Sequence, residues 1–204
     1  MSTGSIALQA QAGADSGKGA GTRAAILDRA VDLASAEGLE GLTIGRLARE
    51  LEMSKSGLFA HFGSKQELQL ATVEAAAIRF RRAVVDPVLG ESEGIPRLRA
   101  MAEAYLAHVD ADAYSGGCFW ASTSAEYDDR PGPVRDAIAA ALDTWLAELE
   151  RQAGIAGLKD PDRVAFELYA VVMATNSRFR LSGDRRVFDY ARETIERLLT
   201  GEQE

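Results

Sequence analysis

The sequence predicts an all-α protein that is organised as two helical units. Three observations support this fold class. Apolar residues recur at helical spacing from Thr22 onward, the alternating pattern of half-buried strands is absent, and Gly, Pro and capping residues divide the chain into nine segments. We therefore predict nine helices: a small N-terminal three-helix unit over 22–68, a larger helical domain over 69–204, and a fourth helix, about 64–85, that both units share.

The first helices are defined by their end signals. Residues 1–21 are rich in Gly, Ala, Ser and Gln without a sustained period, which predicts a flexible tail. A first helix is predicted over 22–37, and Gly38 ends it. The hydroxyl residues that precede the next three helices are typical N-caps, and the fourth helix also has capping-box spacing. These caps are Thr43 for helix 44–51, Ser54 for helix 55–61, and Ser64, three residues before Glu67, for the fourth helix.

Five further helices are predicted in the rest of the chain. Proline is favoured in a first helical turn, and glycine pairs and Pro-Gly loops interrupt helices. Pro96 marks the start of the fifth helix, and Gly116-Gly117 precedes the sixth helix over 118–127. The loop 128–133 precedes the seventh helix, which ends at about 153. Asp160-Pro161 precedes the eighth helix, and Ser182–Asp184 separates it from a ninth helix that ends near Leu199.

Composition excludes several classes of protein. With 204 residues and 47% hydrophobic residues, the chain can bury a sizeable core. The single Cys118 excludes a disulfide framework and a multi-cysteine metal site. No apolar run approaches the roughly 20 residues of a membrane span, and the N-terminus lacks the pattern of a secretory signal. We expect a cytoplasmic protein without a membrane, metal or cofactor requirement.

The second and third helices have a helix-turn-helix layout, because two short helices are joined by a three-residue turn. The third helix carries short or cationic side chains, so it can enter a DNA major groove about 12 Å wide. Hydroxyl, imidazole and ammonium donors around it can reach phosphates and base edges. The predicted DNA-binding residues are Thr43, Ser54, Lys55, Ser56, Gly57, Phe59, His61 and Lys65.

The net charge of −8 taken alone argues against a nucleic-acid partner. Its distribution reverses that interpretation. Residues 1–17 carry −1 and residues 18–82 carry +2, whereas residues 83–204 carry −9. The acidity therefore belongs to residues 83–204, and the stretch 18–82, which contains the unit that is predicted to bind double-stranded DNA together with most of the fourth helix, is mildly basic.

A family resemblance extends over the N-terminal unit. Residues 43–51, Thr-Ile-Gly-Arg-Leu-Ala-Arg-Glu-Leu, and residues 53–62, Met-Ser-Lys-Ser-Gly-Leu-Phe-Ala-His-Phe, resemble the helix-turn-helix of TetR-type (tetracycline repressor family) regulators. Two positions depart from the usual pattern: Phe59 stands where the family usually has Tyr, and Glu52 stands where it often has Gly. In the larger unit, residues 116–120 and 126–135 resemble the C-terminal domain of one subgroup.

The resemblance implies a homodimeric transcriptional regulator, in particular a repressor that binds a palindromic operator and is released by a small-molecule effector. It also implies two partners for the eighth helix, which is apolar on two faces. One is a ligand pocket, for which the candidate residues are Met101, Tyr105, His108, Trp120, Tyr127, Trp145, Phe166, Tyr169 and Met173. The other is a dimer interface, with candidates Val164, Leu168, Val171, Thr175, Tyr190, Ile195 and Leu198.

Other interpretations are weaker. A scaffold or DNA-binding protein that senses no ligand would have a fully packed interior. An enzyme that uses the helical cavity is disfavoured, because no nucleophile, base and orienting residue can be assigned together. His108 with Cys118 as a nucleophilic pair, Cys118 as a redox switch, and a cation site at Glu126, Asp128 and Asp129 remain minor alternatives.

Overall fold

The computed structural model describes the backbone of residues 4–111 and 114–201, with side chains from residue 21 onward. Within these residues the protein has nine α-helices and no strand, which confirms the predicted fold class. The helices are α1 Gly4–Glu37, α2 Ile44–Glu50, α3 Lys55–Phe62, α4 Lys65–Phe80, α5 Ile95–Asp110, α6 Phe119–Tyr127, α7 Pro133–Ile155, α8 Pro161–Ser182 and α9 Arg186–Thr200. No helix in the described part of the chain is long and apolar enough to cross a membrane.

The N-terminal end of α1 differs from the prediction. The helix begins at Gly4 rather than Thr22, so most of the predicted tail has a helical backbone, and residues 1–3 of that tail lie outside the described residues. The stretch contains Ala and Gln, which favour helices, between the glycines that disfavour them. The predicted tail was inferred from the Gly-rich composition and the lack of a sustained apolar period.

All three predicted N-caps of the small unit are confirmed. Thr43 Oγ1 accepts a hydrogen bond from Arg46 N at 3.1 Å, and Ser54 Oγ accepts from Gly57 N at 3.1 Å. Ser64 Oγ accepts from Glu67 N at 3.0 Å, which is one half of a capping box. The Ser64 amide donates to Phe62 O at 2.8 Å, whereas in a full capping box it would donate to the Glu67 carboxylate.

The predicted fourth helix changes character before its end. After α4, residues Arg81–Val85 form a π-helical segment and Asp86–Val88 form a short 3₁₀ turn. Pro87 has no amide hydrogen to donate and therefore helps to end the run. Single π-helical turns are frequent at functional sites. This one lies where α4 enters the larger domain.

The core is continuous between the two units because α4 belongs to both. Leu47, Leu58 and Phe62 are buried in the small unit, while Leu51 and Met53 are half-buried against it. Helix α4 packs against α1 on one side and α7 on the other. In the larger domain α7 packs on α8, α8 packs on α9, and α5 contacts all three.

Candidate DNA-binding surface and ligand cavity

Helix α3 presents a solvent-exposed face that suits a DNA groove. Leu58 and Phe62 anchor the helix in the core, and the opposite face exposes Lys55, Ser56 and Phe59. Phe59 is 55% exposed, so its ring does not pack into the domain core. An exposed ring at this position can contact sugar edges or a thymine methyl group, but it cannot donate to a phosphate as a tyrosine would.

The remaining predicted DNA-binding residues surround this face. Ser54 and Ser56 hydroxyls lie 3.3 Å apart at the start of α3, and Thr43 is exposed at the start of α2. Gly57 and His61 are half-buried. The Lys55 side chain extends along Gly45, where a Cβ atom would lie 3.4 Å from Lys55 Cε. The structure thus brings these residues together on one side of the small unit.

Lys65 is engaged within the protein. Its ammonium group forms an ion pair with the Glu40 carboxylate, and the hydrogen bond from Lys65 is the main reason why the pKa of Glu40 is lowered. Arg46 is similarly held between Glu37 and Glu50, and its hydrogen bond lowers the pKa of Glu37. These ion pairs neutralise two of the basic side chains of the small unit within the protein. Lys55 therefore becomes the leading cationic candidate for DNA contact on the α3 face.

The turn between α2 and α3 contains the strain that the sequence indicates. Glu52 has φ 53°, a left-handed conformation that costs a non-glycine residue about 1 kcal/mol. The Met53 amide donates to Ala48 O at 2.9 Å and closes the turn. The strain is therefore offset by a backbone hydrogen bond, and the helix-turn-helix keeps its geometry without glycine.

The larger domain contains a cavity of about 830 Å³ between α4, the π-helical segment, α6 and α7. Three predicted pocket residues, Tyr105, Trp120 and Trp145, line it. Phe80 packs edge-on against two of them, with ring centroids 4.8 Å from Tyr105 and 5.1 Å from Trp145. The result is a cluster of aromatic rings in a cavity whose other lining residues are mostly aliphatic, with a few polar ones.

Sequence reasoning missed most of the cavity lining. The additional residues come from the second half of α4, the segment after it, and α7: Ala77, Ile78, Phe80, Arg81, Val85, Leu89, Ala141, Leu142, Thr144, Ala147, Glu148 and Arg151. The sequence of the second half of α4 contains a signal for this lining, because this segment is rich in apolar residues that lie outside the helix-turn-helix and therefore need another packing partner. The polar residues of the lining include Arg151, which is paired with Glu148 and Glu93.

Six predicted pocket residues do not line this cavity, which corrects that part of the prediction. Phe166 is 64% exposed on the surface of α8. Met101 and His108 are buried in ordinary core packing, and the His108 ring lies edge-on to Phe80 at 5.9 Å. Tyr127 points its hydroxyl toward the small unit. Tyr169 and Met173, one helical turn apart on the same face of α8, pack on the core outside the cavity.

The minor chemical alternatives find no support in the geometry. Burial raises the pKa of Cys118, whose thiol lies 3.4 Å from the Tyr105 hydroxyl, so a reactive thiolate is disfavoured. Burial also lowers the pKa of His108 to about 4, with the positive charge of Arg79 as a second cause. The Glu126 carboxylate accepts two backbone amides, and no cluster of metal-ligating side chains is found in the described part of the chain.

Comparison with known proteins assigns the chain to a protein family. Residues 26–72 match the model for "Bacterial regulatory proteins, tetR family", and residues 94–195 match that for "Tetracyclin repressor-like, C-terminal domain". The chain belongs to the tetR family. It is therefore a DNA-binding transcriptional regulator with the family's helix-turn-helix and C-terminal domains. No curated protein matches it.

Solved TetR-family structures share the fold along nearly the whole chain. A TetR transcriptional regulator from Chloroflexus aurantiacus is 24% identical with a TM-score of 0.81, covering 90% of this chain and 96% of the other. SCO4454 from Streptomyces coelicolor is 23% identical with a TM-score of 0.78, covering 96% of each chain. AibR, solved in complex with isovaleryl coenzyme A and operator DNA, is 24% identical with a TM-score of 0.69, covering 87% and 97%.

The last two helices of this TetR-family chain expose an apolar face other than the predicted one. Four of the predicted interface residues, Val164, Leu168, Thr175 and Ile195, are buried within the subunit. They therefore pack in its own core, and the prediction that they form the dimer interface is wrong for them. Val171 and Leu198 are half-buried, and Tyr190 is 57% exposed. The exposed face of α8 carries Phe166, Ala174 and Leu181.

Proposed function

We propose that this TetR-family regulator is a repressor that binds a palindromic operator as a homodimer and is released by a small molecule. The observation that carries the proposal is the cavity of about 830 Å³. Its wall includes the second half of the same helix, α4, whose first turn is capped beside the helix-turn-helix. The cavity supports a sensing role over the alternative that senses no ligand, because that alternative predicts a fully packed interior.

The dimer is supported by the exposed face of α8 and α9. Phe166, Leu181 and Tyr190 are large apolar or aromatic side chains that are each more than half exposed. Together with the exposed Ala174, they lie on two helices, α8 and α9, that pack against each other. Pairing this face with the same face of a second copy gives an isologous four-helix interface. In such a dimer the two α3 helices would meet half-sites about 34–36 Å apart.

The cavity favours a largely apolar effector of drug-like size. Pockets of about 300–1,000 Å³ that are lined by aromatic and aliphatic groups with a few polar ones are typical small-molecule sites. Arg81, Thr144, Glu148 and Arg151 provide the polar groups here. AibR was crystallised with an acyl-coenzyme A and operator DNA together, which supports a ligand-responsive role for a chain of this fold.

The release mechanism follows from linkage. An effector can shift the protein away from its operator-binding conformation only by binding the other conformation more tightly. Phe80 and the π-helical segment form part of the cavity wall, and α4 continues from there to the capped turn at Ser64. A change in cavity packing therefore acts directly on the helix that supports the small unit.

We expect Lys55→Ala to weaken operator binding by about 1–3 kcal/mol if its ammonium group reads a base, and by less if it contacts a phosphate. The two cases differ in fluorescence anisotropy measured at several salt concentrations, since loss of a phosphate contact lowers the salt slope by about 1. Lys159→Ala is the matched control, because Lys159 is exposed in the loop before α8. Equal affinities for wild type and Lys55→Ala at every salt concentration would remove Lys55 from the interface.

A compound that releases the operator is expected to change the tryptophan fluorescence. The chain has two tryptophans, and both Trp120 and Trp145 line the cavity. Ala141→Phe, which places a ring in the cavity, should weaken binding of that compound about tenfold or more through steric exclusion. Titration by fluorescence and by operator release should give the same dissociation constant. Operator release with no fluorescence change, and with undiminished affinity in Ala141→Phe, would place the effector site elsewhere.

A further inference from the structure

The C-terminal end of α6 contacts the small unit independently of α4. The Glu126 carboxylate accepts hydrogen bonds from the backbone amides of Leu39 at 2.7 Å and Glu40 at 2.9 Å. Both amides lie in the turn that leads from α1 into the helix-turn-helix. A carboxylate that satisfies two consecutive backbone donors forms strong, charge-assisted hydrogen bonds.

Tyr127 extends this contact into a closed network. Its hydroxyl accepts a hydrogen bond from Gln69 Nε2 at 3.1 Å and donates to the Glu40 carboxylate at 3.2 Å. Gln69 also donates to Leu39 O at 2.8 Å. Tyr127 and Gln69 are both buried, and burial together with the nearby Glu40 charge raises the pKa of Tyr127. Such a network is geometrically demanding for its buried members, because an unpaired buried polar group is costly.

The turn is shaped to receive the carboxylate. Gly38 has φ 83°, which favours glycine, and a Cβ atom at this position would lie 2.8 Å from Glu126 Oε1. The lack of a side chain at Gly38 therefore leaves room for the Glu126 carboxylate in its hydrogen-bonded position. Neither the α3 face nor the cavity wall contains Glu126 or Tyr127, although these residues open the 126–135 motif that the sequence singles out.

We propose that Glu126 and Tyr127 are positioning residues of an interdomain latch, which fixes the orientation of the helix-turn-helix unit on the larger domain. The latch, defined as Glu126 and Tyr127 with Leu39, Glu40 and Gln69, attaches the small unit to the larger domain at the turn before the helix-turn-helix, in addition to α4 and the contact of Gly116 with Ser35 at the end of α1. An attachment at this turn restricts rotation of the helix-turn-helix about the other contacts. This inference rests on the proposed function, because the orientation of the helix-turn-helix unit matters for operator binding.

The latch is connected to the cavity through α6 itself. Trp120, in the cavity wall, and Tyr127 lie about two helical turns apart, roughly 10 Å, and both are on the buried side of α6. A short helix behaves as a rigid element over this length. Displacement of Trp120 therefore moves the residues that hold the turn at 39–40, which adds a second route from cavity to helix-turn-helix.

The direct test uses Glu126→Gln and Tyr127→Phe, which retain size but remove the charge or the hydroxyl. Asp129→Asn is the matched control, because it removes one acidic charge from an exposed residue in the adjacent loop. Hydrogen exchange of the Leu39 and Glu40 amides is expected to accelerate about tenfold or more in both latch variants and to stay unchanged in the control.

The second readout is the spacing of the operator half-sites. Affinity is measured for the wild-type operator and for versions whose half-sites are moved by one or two base pairs. Wild type and Asp129→Asn should bind the operator with the natural half-site spacing most tightly. The latch variants should bind that operator about tenfold more weakly, and their affinity should depend less on the half-site spacing. A role confined to stability would lower the melting temperature and leave the spacing preference unchanged, which overturns the proposal.

These outcomes separate the latch from the proposed function. If wild type binds no operator, the proposed function fails, while the exchange measurement still reports whether the latch holds the turn. If wild type binds and both latch variants retain its exchange rates and spacing preference, the latch is refuted. Should Glu126→Gln fold poorly, Tyr127→Phe still decides the matter, since only its hydroxyl is removed.

The connection through α6 is tested by a double-mutant cycle. Trp120→Phe changes the cavity wall and Glu126→Gln opens the latch, with operator affinity as the readout. Independent sites this far apart give effects that combine within about twofold. We expect the change in operator affinity of the double variant to differ more than threefold from the product of the two single-variant changes, because both substitutions act on one helix. Combination within twofold would refute transmission through α6.

Discussion

Leu168→Arg is expected to unfold the larger domain of the protein. Leu168 is 2% exposed in α8 and faces Trp145 and Leu149 across a gap of only about 10 Å³, which cannot hold a guanidinium group. Burying an unpaired charge costs about 3–5 kcal/mol or more, a large part of the 5–15 kcal/mol that stabilises a typical domain. Urea unfolding followed by circular dichroism should show a midpoint far below that of the wild type.

The matched control for this prediction is Phe166→Arg in the same helix. Phe166 is 64% exposed on the other side of α8, so an arginine there remains hydrated and the subunit should fold normally. If this face forms the dimer, light scattering should report a monomer for Phe166→Arg. A folded, dimeric Leu168→Arg would show that α8 is rotated from its described orientation, and a dimeric Phe166→Arg would refute the exposed face as the interface.

Gly116→Ala is expected to have the second large effect. A Cβ atom at Gly116 would lie 2.0 Å from Ser35 O and 2.4 Å from Ala36 Cα, and both are backbone atoms that cannot rotate away. The Gly116 amide donates to Ser35 Oγ at 3.1 Å in this contact between the larger domain and the end of α1. Separating the two backbones should destabilise the protein by about 3 kcal/mol, as overpacking of a close contact does.

Gly90→Ala is the control, because a Cβ atom at Gly90 meets nothing within 4 Å. Replacing that glycine should change the free energy of unfolding by less than about 1 kcal/mol, since it mainly restricts the unfolded chain. The measurement is chemical denaturation of both variants beside the wild type. Equal stability of Gly116→Ala and Gly90→Ala would mean that the 116–117 segment relaxes away from α1 without penalty.

The local features of the fold were readable from sequence because their causes are local. Thr43, Ser54 and Ser64 are hydroxyl residues directly before helical periods, and each accepts the expected amide hydrogen bond. Pro161 and Gly183 similarly mark the ends of α8. The start of α1 was misread, because alternating helix formers and breakers leave the local preference near balance.

The cavity and the faces of α8 were less predictable. The sequence shows that α8 is apolar on two sides, but Leu168 and Phe166 are equally apolar and only packing decides which one meets α7 and which one meets solvent. Tyr105, Trp120 and Trp145 are predicted pocket residues that line the cavity, whereas Phe80, which also lines it, is not among the predicted ones. The exposed position of Phe59 on α3 agrees with the predicted face.

The sequence by itself determined the helical fold class, the capped starts of α2, α3 and α4, the exposed face of α3 and the family, since periodicity, caps and an ordered motif are properties of neighbouring residues. Only the tertiary structure decided which α8 face is buried, which residues enclose the cavity, and that Glu126 holds the turn at Leu39 and Glu40. The physical reason is that these contacts join residues far apart in the chain, and helix amphipathicity alone does not specify which elements pack against which face.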